Sequence, residues 1–315
     1  MTPDFYAGQR VVVTGGAGMV GSALAELLID RGAEVLVIDD MSRGSTFVPG
    51  SRLIRVDAGD ERAMTKALDG AFALFNLAAY VAGVAYNQHN HALMFERNVR
   101  LQTVPMIAAA VRSVPHVLQA SSVCVYSPDH NAPAYEVFGR RDEPHAANNG
   151  YAWSKRIGER VTEWADLAHA VIVRPSNVFG PRDYFDERAH VIPALIRKAL
   201  NDATIRVNGS GHERREFIYV ADVAQGMLTA LERGEHGKAY NIGTSGATCV
   251  SIRELVTLIQ AACGTDKTVE FASDYDPGDP ARYSDASRLQ ALGWSHVFSL
   301  YDGLQRTVDW YRGVR

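Results

Sequence analysis

A short apolar strand that runs straight into a glycine cluster and a helix sets the start of this fold. Arg10-Val11-Val12-Val13-Thr14 is β-branched and continuously apolar, the pattern of a parallel strand covered by helices on both faces. It leads into Thr14-Gly15-Gly16-Ala17-Gly18-Met19-Val20-Gly21. Gly15 allows a tight turn, Gly18 lets a pyrophosphate approach the backbone, and Gly21 lets the helix pack close to the strand. A helix from Met19 to Arg31 places Val20, Leu24, Leu27 and Leu28 on one stripe, and Gly32 suits its C-terminal cap. Its first-turn N–H groups and the positive end of its dipole face the phosphates. The next strand, Glu34–Asp39, ends in a carboxylate. Asp39 there would meet the adenosine ribose hydroxyls and repel a 2′-phosphate, so NAD is expected over NADP, with Arg43 near enough to weaken that preference.

Strand and helix patterns continue to alternate. Strands are expected at 53–56, 73–77, 116–120 and 170–173, and helices at 92–113 and 152–168. This predicts an α/β fold, a Rossmann-type doubly wound parallel sheet with right-handed crossovers. Asp57, at the end of the third strand, is placed either to contact the adenine or to cap its own loop. After Arg174 the pattern loosens. Ser251-x-x-Glu254 has the spacing of a capping box for a helix to Cys263, and Ser299 is placed to cap a last helix carrying Leu304, Val308 and Tyr311 on one face. The expected division is a dinucleotide-binding domain over 1–175, receiving elements from 216–245, and a smaller α/β substrate lobe over 176–315.

At 315 residues the chain is long enough for two packed lobes. A formal net charge of −4 offers no basic excess for nucleic acid. No apolar run reaches the ~18 residues of a membrane span, and Met1–Arg10 lacks the apolar stretch of a signal peptide. The cysteines, Cys124, Cys249 and Cys263, are odd in number and show no zinc-type spacing, so no metal is expected and a reduced, cytoplasmic setting is the simplest reading. Cys249 and Cys263 read as structural. His89 and His91 read as helix-capping or surface residues.

Tyr151-Ala-Trp-Ser-Lys155 puts a phenol and an ammonium at i, i+4 on one helix face. A phenol of ordinary pKa about 10 is a poor base at neutral pH, and a neighbouring ammonium together with a cationic nicotinamide would favour the phenolate. The lysine can also hold the nicotinamide ribose. Ser122 closes the fifth strand, where such sheets bind ligands, and its hydroxyl can orient the oxygen that loses its proton.

These residues together resemble an extended short-chain dehydrogenase/reductase of the nucleotide-sugar epimerase/dehydratase family. The likeness covers nearly the whole chain: Thr14–Gly21, Asn76-Leu77-Ala78-Ala79, Asn98, Ser121–Tyr126, Tyr151–Lys155, Arg174–Pro181 and Arg215-Glu216-Phe217. The resemblance implies Tyr151 as proton acceptor, Lys155 as its partner and Ser122 as helper. It implies Ala78 and Ala79 beside the cofactor and Asn98 as a buried residue fixing backbone. It places Asn177, Arg215 and Arg282 on the nucleotide diphosphate, and it implies a homodimer through the helices at 92–113 and 152–168. Non-catalytic cofactor sensors on this fold typically lack the tyrosine that this chain keeps.

Within the family, dehydratases carry an Asp-Glu pair where this chain has Val123 and Cys124, which argues against dehydration. A cysteine at 124 resembles GDP-mannose 3,5-epimerase and GDP-fucose synthase, and the latter has a histidine where His190 opens His190-Val191-Ile192-Pro193. That resemblance implies transient oxidation at C4 of a GDP-sugar. The ketone acidifies C3 and C5, and Cys124 and His190 exchange protons there, with Val191 beside the substrate. A thiol of ordinary pKa about 8.5 and an imidazole of about 6.5 suit this work. The sequence leaves open a 4-epimerase of the UDP-galactose type, which needs Tyr151 and the cofactor only, and a GDP-fucose-synthase-like epimerase/reductase. Asp39 departs from the synthase pattern, which uses NADPH.

Overall fold

Strand β1 (Arg10–Thr14) lies inside a parallel sheet, and its residues alternate between two separate apolar cores. The computed structural model describes residues 4–43, 47–128, 133–144, 146–272 and 281–314. The first half runs β1, α1 (Met19–Asp30), β2 (Glu34–Asp39), β3 (Arg52–Arg55), α2 (Glu61–Ala67), β4 (Ala73–Asn76), α3 (Val84–His89), α4 (His91–Val111), β5 (His116–Ala120), α5 (Asn149–Trp164) and β6 (His169–Pro175). Val11 and Val13 face a core built with Leu24 and Leu28 of α1. Val12 faces the opposite core with Met64 of α2 and Met106 and Ala109 of α4. Burial on both faces is why these strands are continuously apolar rather than alternating.

The rest of the chain runs β7 (Asn177–Phe179), α6 (Val191–Asn201), β8 (Thr204–Asn208), β9 (Arg214–Tyr219), α7 (Val220–Arg233), β10 (Ala239–Ile242), β11 (Cys249–Ser251), α8 (Ile252–Cys263), β12 (Thr268–Ala272), β13 (Ala281–Arg282), α9 (Ser287–Gln290) and α10 (Leu300–Gly313). The large sheet is parallel throughout, in the order β10-β6-β5-β4-β1-β2-β3. Its order reverses between β1 and β4, and ligands bind at the carboxyl ends of strands beside such a point. This is the Rossmann-type sheet expected from the sequence. A smaller lobe forms around β9, which pairs with β7, β11 and β13, and beside it β8 pairs with β12. Its core joins Ile192 and Ile196 of α6, Phe217 of β9, Leu255 and Ile259 of α8, and Leu304 and Val308 of α10.

Several boundaries move for physical reasons. Helix α5 begins at Asn149 rather than Ala152, because its first residues carry no apolar stripe, and it ends at Trp164 rather than Ala168. Leu167 continues the apolar rhythm but is buried from a loop, after Ala165 turns extended at φ −70°, ψ 140°. Helix α2 escapes a periodicity reading because it is short and buries only Met64 and Ala67. Helix α8 has the capping box that its Ser251/Glu254 spacing implies, and Gly264 closes it at φ 60°.

Candidate active site

The turn after β1 is shaped by what a side chain would strike. Gly15 has φ 67°, and a Cβ there would lie 3.0 Å from the Ala78 backbone. A Cβ on Gly21 would come within 2.2 Å of the Gly15 carbonyl, so the third glycine lets α1 sit against the turn. Gly18 is the N-cap of α1 and no side chain caps it, which leaves the amides at Met19 and Val20 facing the cleft. Asp39 is held by the N–H groups of Ala17 (3.0 Å) and Met41 (2.9 Å), and burial pushes its carboxyl up. It therefore braces the glycine turn as well as lining the cleft. Asp57 accepts from Gly59 N at 2.7 Å and lines the same cleft. Asn98 is fully buried and clamps Tyr80 through both its N–H and its C=O, each at 2.9 Å, which shapes the chain just beyond Ala78 and Ala79. This cradle fits a dinucleotide.

Ser122 follows β5 directly, and its hydroxyl accepts from Cys124 N at 3.2 Å across a short 3₁₀ turn. That turn points Ser122 and Cys124 into one cavity with Tyr151, in the first turn of α5, and Lys155 one turn later. Lys155 Nζ lies 5.6 Å from the centre of the Tyr151 ring. It donates to Ala120 O (2.7 Å) and Gln102 Oε1 (3.1 Å). Burial pushes the lysine down to about 7. Burial also pushes the Tyr151 phenol well above its ordinary value, with neighbouring Cys124 adding to the effect. Both groups are thus driven toward their neutral forms, and a phenolate needs further positive charge brought into the cavity.

The cavity encloses about 1310 Å³ and reaches from the glycine turn past these residues to the smaller lobe. At that far end stand Asn177, His190, Val191, Arg215 and Arg282. Asn177 Nδ2 donates to Glu216 O at 2.7 Å. His190 is the exposed N-cap of α6, with Val191 beginning the helix. Arg282 on β13 is in register with Arg215 on β9, and both line the cavity at the lobe's edge. All the candidate cofactor, catalytic and substrate residues named from the sequence line this cavity except Asn98, which supports its wall, while His89, His91, Cys249 and Cys263 lie off it. Among the described residues no group of three or more His, Cys, Asp or Glu is placed to hold a metal.

The family model described as "NAD dependent epimerase/dehydratase family" matches residues 11–243. The chain belongs to this family. It is 32% identical over 99% of both chains to a dTDP-4-dehydro-6-deoxy-D-allose reductase of Streptomyces sp. It is 30% identical over 96% of both chains to the GDP-L-fucose synthase of Escherichia coli K12. Among solved structures it resembles a UDP-glucose 4-epimerase with UDP-glucose from Thermotoga maritima, with a TM-score of 0.88, 25% identity, and coverage of 97% of this chain and 99% of that one.

Three residues at the site carried no sequence signal: Asp183 and Tyr184 line the cavity, and Gln102 is bonded to Lys155 and Ala78 of its wall. Gln102 lies on α4 among apolar neighbours and meets Lys155 only once α4 and α5 pack. Asp183 Oδ1 accepts from Tyr184 N at 2.7 Å, while its buried Oδ2 has no hydrogen-bond partner among the described residues. Tyr184 reaches the glycine turn: its hydroxyl lies 3.6 Å from where a Cβ on Gly18 would stand, and Arg43 stacks 4.0 Å over its ring. The stretch 181–190 thereby ties the smaller lobe to the cleft. Arg182 pairs with Glu26 of α1 at 2.5 Å, and Gly83 N donates to Arg188 O at 3.1 Å.

Proposed function

We propose that this protein is an NAD-dependent nucleotide-sugar epimerase that oxidises C4 transiently and inverts C3 or C5. One observation carries the reading: Ser122, Cys124, Tyr151, Lys155 and His190 share a single cavity with the glycine turn at one end and Arg215 and Arg282 at the other. Bound NAD supplies the hydride acceptor and a positive charge that favours the Tyr151 phenolate. Gly15, Gly18, Met19, Val20, Gly21, Asp39 and Asp57, with the wall at Ala78 and Ala79, hold it. Tyr151 takes the C4 hydroxyl proton while Ser122 orients that oxygen and Lys155 keeps an N–H on the cofactor ribose. The C4 ketone acidifies C3 and C5, where Cys124 removes a proton from one face and His190 returns one to the other. Asn177, Val191, Arg215 and Arg282 hold the nucleotide diphosphate. A GDP-sugar is the favoured substrate through the likeness at Cys124 and His190.

NAD is preferred over NADP because Asp39 offers a carboxylate where a 2′-phosphate would lie. Residues 1–175, with α7 and β10, bind the dinucleotide, and the remainder of 176–315 binds the sugar nucleotide. Two copies pair through α4 and α5, whose outer groove is lined by Ala92, Phe95, Trp153 and Ile157. The three free cysteines suit a reducing cytoplasm.

The test is turnover of GDP-, UDP- and dTDP-sugars in deuterated water. Label at C3 or C5, lost in Cys124→Ser, is expected. Inversion at C4 with no carbon-bound label would overturn the reading in favour of a 4-epimerase. A second reading, an epimerase/reductase, is favoured by the reductase and synthase among the relatives. It requires reduced cofactor to be consumed in step with product, which absorbance at the reduced nicotinamide band reads directly.

A further inference from the structure

Lys155 is held by neutral acceptors. Gln102 Oε1, on α4, accepts from Lys155 Nζ at 3.1 Å and from Gln119 Nε2, on β5, at 2.5 Å. Gln102 Nε2 donates to Ala78 O at 3.0 Å. Gln119 Oε1 accepts from Asn76 Nδ2 at 2.9 Å, Asn76 Oδ1 accepts from Thr14 Oγ1 at 2.6 Å, and Thr14 Oγ1 accepts from Leu77 N and Ala78 N, both at 3.1 Å. Gln102, Gln119, Asn76 and Thr14 are each at most 1% exposed. This chain of bonds fixes which way each amide faces. Gln102 Nε2 is committed to the Ala78 carbonyl, so its oxygen must face Lys155. Gly158 on α5 makes the packing possible, since a Cβ there would lie 2.8 Å from Gln102 Cβ and 3.0 Å from Gln119 Nε2.

We propose that Gln102 is a positioning residue that keeps Lys155 an ammonium and aims its third N–H into the active cavity. An ammonium has three donors, and Ala120 O and Gln102 Oε1 take two of them. A neutral amine making the same two bonds would turn a lone pair, not a donor, toward Tyr151 and the cofactor ribose. The ionisable groups facing Lys155 are Tyr151 and Glu159 on its own helix and Cys124 from the turn after β5. Glu159 is committed to Arg174 at 2.7 Å. Helix α4 and strand β5 present Gln102, Gln119 and the Ala120 carbonyl, all neutral. Burial pushes the lysine toward the amine, the charges of Cys124 and Glu159 oppose this, and Gln102 Oε1 is the side-chain acceptor bonded to Nζ. The inference rests on the catalytic reading of Tyr151 and Lys155 given above.

The experiment titrates Lys155 directly, in cofactor-free protein carrying ¹³C-labelled lysine, by the pH dependence of its side-chain NMR signal assigned with Lys155→Arg. Gln102→Leu removes the acceptor and is expected to lower the midpoint by about one pH unit, since hydrogen bonds to charged groups are worth that much. Gln102→Glu substitutes a carboxylate and is expected to raise it above the wild-type value. Both variants lose the bond to Ala78 O equally, so a merely structural role would move the midpoint in neither or in the same direction in both. Either of those results would overturn the proposal. Thermal melts establish that each variant is folded, and Gln102→Met serves in place of Gln102→Leu if that variant is not. In turnover, the high-pH limb is expected to follow the midpoint, downward for Gln102→Leu and upward for Gln102→Glu. If the wild type converts no nucleotide sugar, the functional reading fails while the titration still decides what Gln102 does.

Discussion

Glu159 and Arg174 form an ion pair sealed from solvent beneath the turn that carries Ser122 and Cys124, with Arg174 Nη2 2.7 Å from Glu159 Oε2 and both side chains 1% exposed. Glu159 also accepts from Ser121 Oγ at 2.5 Å, and Arg174 donates to Tyr126 OH and to Glu136 O. One pair thus joins α5, which carries Tyr151 and Lys155, to the residues on either side of Ser122 and Cys124. Removing one partner strands the other's charge in a buried place. Glu159→Gln is expected to destabilise the fold by about 3–5 kcal/mol, as denaturant unfolding would measure. Glu159→Gln combined with Arg174→Met should recover a large part of that loss. Additive losses would mean that the two side chains do not act as a pair.

Asp39 has a double task, and its substitution separates the two. Its carboxylate binds Ala17 N and Met41 N, so it fixes the glycine turn while lining the cleft. Asp39→Asn keeps an acceptor for one amide and removes the negative charge. The expected outcome is weaker NAD binding and a relative gain for NADP of tenfold or more, about 1.4 kcal/mol in the ratio. Dissociation constants for both dinucleotides, from quenching of protein fluorescence, give this number. An unchanged ratio would mean that Asp39 serves the turn alone.

Asp183 makes the fold sensitive to pH in an unusual direction. Its carboxyl is pushed up to about 6 by burial, with His190 and Arg43 opposing. A raised carboxyl favours the protonated form in the folded state. Its contribution is therefore fully present below the ordinary value of 3.8 and is lost as pH rises through about 6. Asp183→Asn removes a buried charge whose Oδ2 has no hydrogen-bond partner among the described residues. It should raise thermal stability at pH 7 by an amount of the order of 2–3 kcal/mol, with the advantage gone near pH 4. Melting curves of the two proteins across this range test it. A variant less stable than the parent at pH 7 would show that Oδ2 has a bonding role in the folded protein.

The sequence discloses the site where chemistry is written locally. The glycines at 15, 18 and 21 are legible because a turn, a close approach and a helix contact each exclude a side chain within a short stretch. Tyr151 and Lys155 are legible because one helix turn separates them. Gln102 is not, because its meaning depends on Gln119, seventeen positions along on the neighbouring strand, and on a gap left by Gly158. Asp183 is hidden for a similar reason. A lone Asp in a loop reads as solvated, and only the packing of 181–190 against α1 and Arg43 buries it. Residues 204–208 and 268–272 alternate between buried or half-buried and exposed positions, so the smaller lobe's strands give a weaker signal than the sheet's core strands do.

The outer face of α4 and α5 offers the last test. Phe95 and Ile107 on α4 are 38% and 48% exposed, and Trp164 at the end of α5 is 73% exposed. Trp153, Ile157 and Trp164 fall on one stripe of α5, and the groove between that stripe and Phe95 is almost wholly apolar. An exposed apolar surface of this kind marks a place to be covered, and a second copy related by twofold symmetry would cover both grooves at once. Phe95→Asp with Trp164→Glu places two charges on side chains that no core requires, so folding should survive. The parent is expected to sediment as a dimer and the double variant as a monomer. The active cavity lies at the strand ends, with Ser122 and Lys155 inside one copy, so the monomer should still bind NAD with its affinity changed less than tenfold. A parent that sediments as a monomer at micromolar concentration would leave these aromatic residues without the partner proposed for them.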